Sequence, residues 1–217
     1  DMHNGVLHRR MTIVDASGRK TELVSERMSS MENRHLAGAR YSVTPLNYSG
    51  TLTLRSSLEG THFNAGVKRY SSLNQQHLEP LEQGGEDNIT YLKVRTTQSH
   101  TEIAQAARVR VVTNGQQVTS GFTIDTGEGF VNTSVEQKVD EGATVEMEKV
   151  VSIHTSQYGE HDIDLHALKE VEQADEYDEL KAKSRRAWEK IWNEIDIRLD
   201  GDRLSQKLLR LHSYHLV

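Results

Sequence analysis

The run Val109-Arg110-Val111-Val112-Thr113-Asn114-Gly115-Gln116-Gln117-Val118 decides the fold class. Val109 and Val111 stand two apart, the spacing that puts side chains on one face of a strand. Asn114-Gly115 then separates two such runs. A type I′ turn needs positive φ at both central residues, which Asn and Gly tolerate, so the pair predicts a hairpin. Val118, Phe122 and Ile124 continue the pattern beyond it. The same period extends outward in both directions. Leu7, Met11 and Ile13 share a face before the turn chemistry of Asp15-Ala16-Ser17-Gly18. Ala37, Ala39, Tyr41 and Val43 alternate with Gly38, Arg40, Ser42 and Thr44, and Asn47-Tyr48-Ser49-Gly50 marks the next turn. Leu52, Leu54 and Leu58, then Leu92 and Val94, mark further strands. Val131, Thr133, Val135 and Val139 lead to a turn at Asp140-Glu141-Gly142, and Val145, Met147, Val151 and Ile153 end the series. Regular turns without intervening helices imply a mainly β chain with antiparallel meander or Greek-key pairing, arranged as a two-layer β-sandwich. One face of each sheet is expected to meet water, which fits a hydrophobic content of 35%.

Residues 60–88 interrupt this pattern. They read as a long, ordered connection carrying Phe63, Tyr70 and His77. After Tyr158-Gly159 the period becomes helical: Leu165, Leu168 and Val171 match it, and Leu180, Ala187, Trp188, Ile191 and Trp192 share a second face. Asp175 or Asp178 is placed to cap that second segment. Ile195, Ile197 and Leu199 read as a short strand-like run. Asp202 then offers an N-cap for a last helix, with Leu204, Leu208, Leu211 and Leu216 on its apolar face. The chain opens close to a strand and closes on that helix without a stop signal, so it reads as a piece of a longer protein.

With 217 residues and a net charge of −6, the chain is long enough for a real core without staples. It holds no Cys, which excludes a disulfide scaffold, a thiolate metal site and a thiol nucleophile. Interspersed charges of both signs argue against nucleic acid as a partner. The absence of a run of about 18 apolar residues argues against a spanning helix. No leader segment is visible, so a cytoplasmic location is the default expectation.

The residues yield no convincing catalytic set. His161-Asp162-Ile163-Asp164-Leu165-His166 has metal-type ligands but crosses into a helix start, where capping explains Asp better. His212 and His215 lie at i and i+3 without an intervening Glu, and an interfacial role suits them better than ligation. Trp188 and Trp192 could stack on sugar rings but read more simply as a packing ridge. Asn47, Asn88 and Asn132 begin glycosylation tripeptides, a weak signal. Gly127-Glu128-Gly129 reads as a turn. No metal and no cofactor is expected.

Several long segments carry a family resemblance. They are Glu26-Arg27-Met28-Ser29-Ser30-Met31, the stretch from His35-Leu36-Ala37-Gly38-Ala39-Arg40-Tyr41 to Asn47-Tyr48-Ser49-Gly50, and Asn64-Ala65-Gly66-Val67-Lys68-Arg69-Tyr70 with Leu73-Asn74 and His77-Leu78. The tail adds Ala187-Trp188 through Trp192, Asp196-Ile197, Gly201-Asp202, Gln206, Leu209-Arg210 and His215-Leu216. In order over nearly the whole chain, these resemble glycoside hydrolase family 65, which holds α-glucoside phosphorylases together with trehalases and related hydrolases. The resemblance implies an N-terminal sandwich of the super-sandwich, galactose-mutarotase-like kind over 1–160, followed by linker helices over 161–193. Residues 194–217 would form a connection and the first helix of an (α/α)₆ barrel. It also implies a parent that cleaves an α-linked glucose disaccharide with phosphate and inversion; the alternatives are a hydrolytic parent and a free-standing carbohydrate-binding module. The catalytic Glu and phosphate-binding residues of the family lie in its barrel, so no catalytic residue is expected here. Arg69, Tyr70, Asn74 and His77 are the candidate sugar contacts, the competing reading being that their loop packs between sandwich and barrel. The expected partners are the parent's own barrel and a second copy in a homodimer.

Overall fold

The computed structural model describes residues 1–62, 75–157 and 159–217. Strands β1 (Val6–Val14), β2 (Lys20–Ser29), β3 (Leu36–Pro45), β4 (Gly50–Glu59), β5 (Leu78–Glu86), β6 (Ile89–Thr96), β7 (Glu102–Thr113), β8 (Gln116–Val118), β9 (Thr123–Gly127), β10 (Phe130–Val139) and β11 (Val145–Thr155) come first. Helices α1 (Ile163–Gln173), α2 (Tyr177–Ile195) and α3 (Arg203–Leu216) follow. The large sheet runs β1-β2-β3-β11-β7-β6-β5, with β8 hairpinned onto β7, and the small sheet runs β4-β10-β9. Every pairing is antiparallel. The Asn114-Gly115 hairpin is present, with φ of 52° and 74°.

The β-sandwich reading holds, and the structure adds a layer to it. On β7, Ala107, Val109 and Val111 face the small sheet and meet Leu54, Leu58, Val131 and Val135. Ala104 and Ala106, on the opposite face, meet Ile163, Ala167 and Val171 of α1 and Tyr177 and Leu180 of α2. The central strands are therefore covered on both faces, where one was expected to meet water. The alanines make this possible, because their short side chains let a helix lie close to the sheet. Leu165, assigned to the buried helical face from its spacing, is exposed instead; Ile163, Ala167 and Val171 carry that contact.

Other readings are corrected. Residues 78–86, read as part of a loop, form edge strand β5. Pro80 stands at an irregularity in its register, a position that an edge strand tolerates. Gly85 belongs to the strand because a Cβ there would stand 2.5 Å from the Ile89 carbonyl oxygen. Leu7 and Ile13 are exposed, since β1 is the far edge of the large sheet. Ile195 ends α2, and 197–199 form no strand. Glu176, not Asp175 or Asp178, occupies the N-cap of α2, whereas Asp202 caps α3 as read, accepting from the Leu204 and Ser205 amides.

Lys149 lies on the sandwich-facing side of β11 and donates to the Ser57 carbonyl at 2.7 Å. Burial pushes its ammonium down from its ordinary 10.5 to about 8. Between those values the unfolded chain binds more protons than the folded one, so stability rises with pH there. Below the folded value the whole cost of the buried charge is present, on the order of 3 kcal/mol. Lys149→Met is expected to melt higher at neutral pH and to flatten the rise that the native chain shows above its folded pKa. Thermal melts of both across pH 7 to 9.5, below the tyrosine range, check this (roughly the window set by lysine and tyrosine ionisation). Parallel profiles would refute it.

Candidate functional site

The helix-facing side of β11 carries Glu148, Val150, Ser152 and His154. Three of these are polar and all four are buried, so each polar group requires a partner. Ser152 donates its hydroxyl to the Ala167 carbonyl at 2.6 Å, tying β11 to α1. Glu148, with a side chain only 4% exposed, accepts from Arg40 on β3 at 2.5 Å and from Arg110 on β7 at 3.2 Å. Arg40 reaches on to Asp178 of α2 at 2.8 Å and lies over the Tyr177 ring, 4.6 Å from its centroid. Burial works against the Arg40 charge, but Asp178 and Glu148 more than reverse this and hold its pKa raised. The Arg40 hydrogen bond in turn holds the Asp178 carboxyl below its ordinary range. Both Glu148 oxygens are engaged, which makes this network a strut between sheet and helix rather than a reaction centre.

Farther along the same face is a histidine cluster. The His154 and His35 rings stack in parallel, 4.1 Å apart. His154 Nε2 lies 2.5 Å from Glu170 Oε2, and Asn33 donates to the other Glu170 oxygen at 2.6 Å. His154 Nδ1 is buried without a hydrogen-bond partner among the described residues. It points toward Glu160, 3.8 Å away, while His166 meets the His154 ring edge-on at 5.9 Å. His35, His154 and Glu170 form one set of possible metal ligands, and His154, Glu160 and His166 form another. The 161–166 run therefore contributes only His166; Asp164 pairs with Lys93 at 3.5 Å, and Asp162 makes no side-chain cap. Sequence spacing could not show this cluster, because His35, in the turn before β3, and His154, on β11, lie far apart in the chain. The signal available was a histidine two residues beyond Ser152 and in register with Glu148 on one face of β11.

The candidate sugar contacts Arg69, Tyr70 and Asn74 lie outside the described residues. His77 is exposed just before β5, and its carbonyl accepts from the Thr97 amide at 3.0 Å. Trp188 and Trp192 are buried as a ridge: Trp192 donates to the His3 carbonyl at 2.9 Å, and Trp188 stacks on Tyr214 of α3 at 4.9 Å. They offer no face to a sugar. The three glycosylation tripeptides use their amides internally, Asn47 to Gly18, Asn88 to Val109 and Asn132 to Asp125. Helix α3 has no buried residue; Leu204, Leu208 and Leu216 are 64%, 46% and 87% exposed. No helix among the described residues is long and apolar enough to cross a membrane.

The chain aligns over its full length with several curated proteins. It is 30% identical to a kojibiose phosphorylase of Halothermothrix orenii and spans 28% of that protein. It is 32% identical to an uncharacterised glycosyl hydrolase of Mycobacterium tuberculosis, spanning 16% of it. It is 23% identical to an α,α-trehalose phosphorylase of Thermoanaerobacter brockii, spanning 29% of it. A solved human-microbiome structure, provisionally named a kojibiose phosphorylase, superposes with a TM-score of 0.82 at 16% identity, covering the whole chain and 27% of that protein. The chain thus spans less than a third of each of these relatives, and the likeness in structure establishes the shared fold. The family profile described as glycosyl hydrolase family 65, N-terminal domain, matches residues 1–191. The strand order, the two docked helices and this match agree, and the chain belongs to the N-terminal domain of glycosyl hydrolase family 65.

Proposed function

We propose that the chain is the non-catalytic scaffold domain of an enzyme that cleaves an α-linked glucose disaccharide by inverting phosphorolysis. The observation that carries this is α3. A 14-residue helix whose leucines stay exposed needs something to cover them. The relatives' greater length supplies a source for that cover, the remainder of the parent, and the family resemblance makes it a helical barrel. Phosphorolysis rather than hydrolysis is favoured by the relatives that carry a specific activity name, kojibiose phosphorylase and trehalose phosphorylase. Arg40, Glu148, Asp178 and the Trp188–Tyr214 stack support the scaffold role, because they fix α2, and through it α3, to the sandwich.

The test is an assay of the purified chain with kojibiose, trehalose and maltose in orthophosphate. The expected outcome is no glucose 1-phosphate, no glucose and no heat of disaccharide binding. Sustained turnover would overturn the scaffold reading. In the parent enzyme, Tyr70→Ala with His77→Ala tests whether the 60–80 segment reaches substrate. A raised KM is expected if it does, and unchanged KM and kcat would assign the segment to packing.

A further inference from the structure

We propose that His154 Nδ1, a carboxylate oxygen of Glu160 and an imidazole nitrogen of His166 hold a single divalent transition-metal ion of the zinc class, at the junction of β11 and α1. The three donor groups lie within 4.8 Å of one another. A tetrahedral zinc ion with bonds of about 2.1 Å holds its ligand atoms about 3.4 Å apart. The His154–Glu160 separation of 3.8 Å is close to that spacing. The half-buried Glu160 side chain and the exposed His166 can turn over the remainder.

The buried histidine is what distinguishes this set from a chance grouping. His154 is 8% exposed, and its Nδ1 has no hydrogen-bond partner among the described residues. Its other nitrogen faces Glu170 at 2.5 Å. An ionised carboxylate only accepts, so Nε2 carries the proton and Nδ1 of the neutral ring presents a lone pair toward Glu160 and His166. A carboxylate behind a histidine is the usual support of a metal ligand, because it fixes the tautomer and raises the basicity of the ligating nitrogen. Here the carboxylate is itself oriented by Asn33 at 2.6 Å, and the His154 ring is held in plane by the His35 stack. The other set, His35 with His154 and Glu170, is already satisfied: His35 Nδ1 lies 2.9 Å from the Ile153 carbonyl oxygen, and Arg34 donates to its Nε2 at 3.1 Å. Two imidazoles and a carboxylate suit zinc and its neighbours, rather than the hard calcium or magnesium ions. Three protein ligands leave one position to water. His166 is exposed and also borders an open cleft of about 370 Å³ between the 32–36 turn and helices α1 and α2, so its side of the site is open to solvent.

The experiment is calorimetric titration of the chelator-treated chain with Zn²⁺ in a non-coordinating buffer, alongside visible absorption of the Co²⁺ form. One saturating equivalent is expected, with tetrahedral Co²⁺ bands and a higher melting temperature when Zn²⁺ is present. His166→Ala and Glu160→Gln sit at the surface, so they are not expected to disturb folding. Each should weaken binding about tenfold or more and abolish the melting shift. Glu170→Gln should weaken it roughly 10- to 100-fold by releasing the His154 tautomer. His212→Ala with His215→Ala, remote in sequence on α3, should change nothing. Absence of saturable binding up to millimolar Zn²⁺ would overturn the proposal and leave His154 as a structural tie between β11 and Glu170 of α1. Binding that survives both His166→Ala and Glu160→Gln, or that is lost in the α3 variant, would overturn it as well.

Discussion

Glu148→Ala is expected to destabilise the chain by about 3–5 kcal/mol, the range for removing one partner of a buried ion pair. The loss arises on the arginine side. Arg40 and Arg110 converge on the two Glu148 oxygens from neighbouring strands. Without the carboxylate, two guanidinium groups face each other beneath α2, with Arg40 only 17% exposed. Asp178 and Glu146 still pair with Arg40, and Glu176 lies 3.4 Å from Arg110, but Asp178 and Glu176 are largely open to water and Glu146 stands farther off at 3.5 Å, so together they offset only part of the loss. For a domain of this length the corresponding drop in melting temperature is roughly 6–20 °C. A triple variant, Arg40→Leu with Glu148→Met and Arg110→Leu, should recover most of the loss, because it removes the stranded charges together with their partner. Thermal melts of the two variants decide the matter. A Glu148→Ala chain melting within two or three degrees of the native one would show that water reaches this network and screens it.

How much of this could be read from the sequence depends on what sets each feature. Strand β10 was legible because burial on one face imposes a period of two, and β7 because Val109 and Val111 keep that period and Asn114-Gly115 marks a turn whose backbone few other residues adopt. Strand β5 was not legible, because Pro80 and the Gly84-Gly85 pair are local breakers that an edge position and a close-packed hairpin overrule. The helices were legible, but their docking was not. Leu165 has the right spacing for a buried face and is exposed, whereas the small residue Ala167 is buried, because closeness to Ala104 and Ala106 matters more there than side-chain size. Arg40, Arg110 and Glu148 stand mid-strand on faces that the general expectation of one wet face per sheet leaves to solvent. They are instead the polar underside of a third layer, and only the tertiary structure brings β3, β7 and β11 side by side. The family resemblance supplied the domain's identity, yet it pointed to Arg69, Tyr70, Asn74 and His77 and was silent on His154, whose partners come from three separate stretches of chain.

Tyr177→Ala is the substitution expected to separate that third layer from the sandwich. Tyr177 is the largest fully buried side chain among the described residues. It stands at the first position of α2, so its ring anchors the point where the chain turns from α1 into the longer helix. The ring lies against Gly38, where a Cβ would come within 3.0 Å of it, and beneath the Arg40 guanidinium. Removing it leaves a cavity that Gly38 cannot fill, at a cost of about 3–5 kcal/mol. It also removes the aromatic face over which Arg40 is held. Tyr177→Phe keeps the ring and is expected to cost about 1 kcal/mol or less. The effects should differ in place as well as in size. In Tyr177→Ala, α1 keeps Ile163, Ala167 and Val171 against β7, so amide exchange should rise first in α2 and in the Trp188–Tyr214 contact that carries α3. Uniform loss of protection across sandwich and helices would mean that the layers unfold as one unit. Selective loss in α2 and α3 would show that this one ring couples the helix offered to the rest of the enzyme to the sheet that holds it in place.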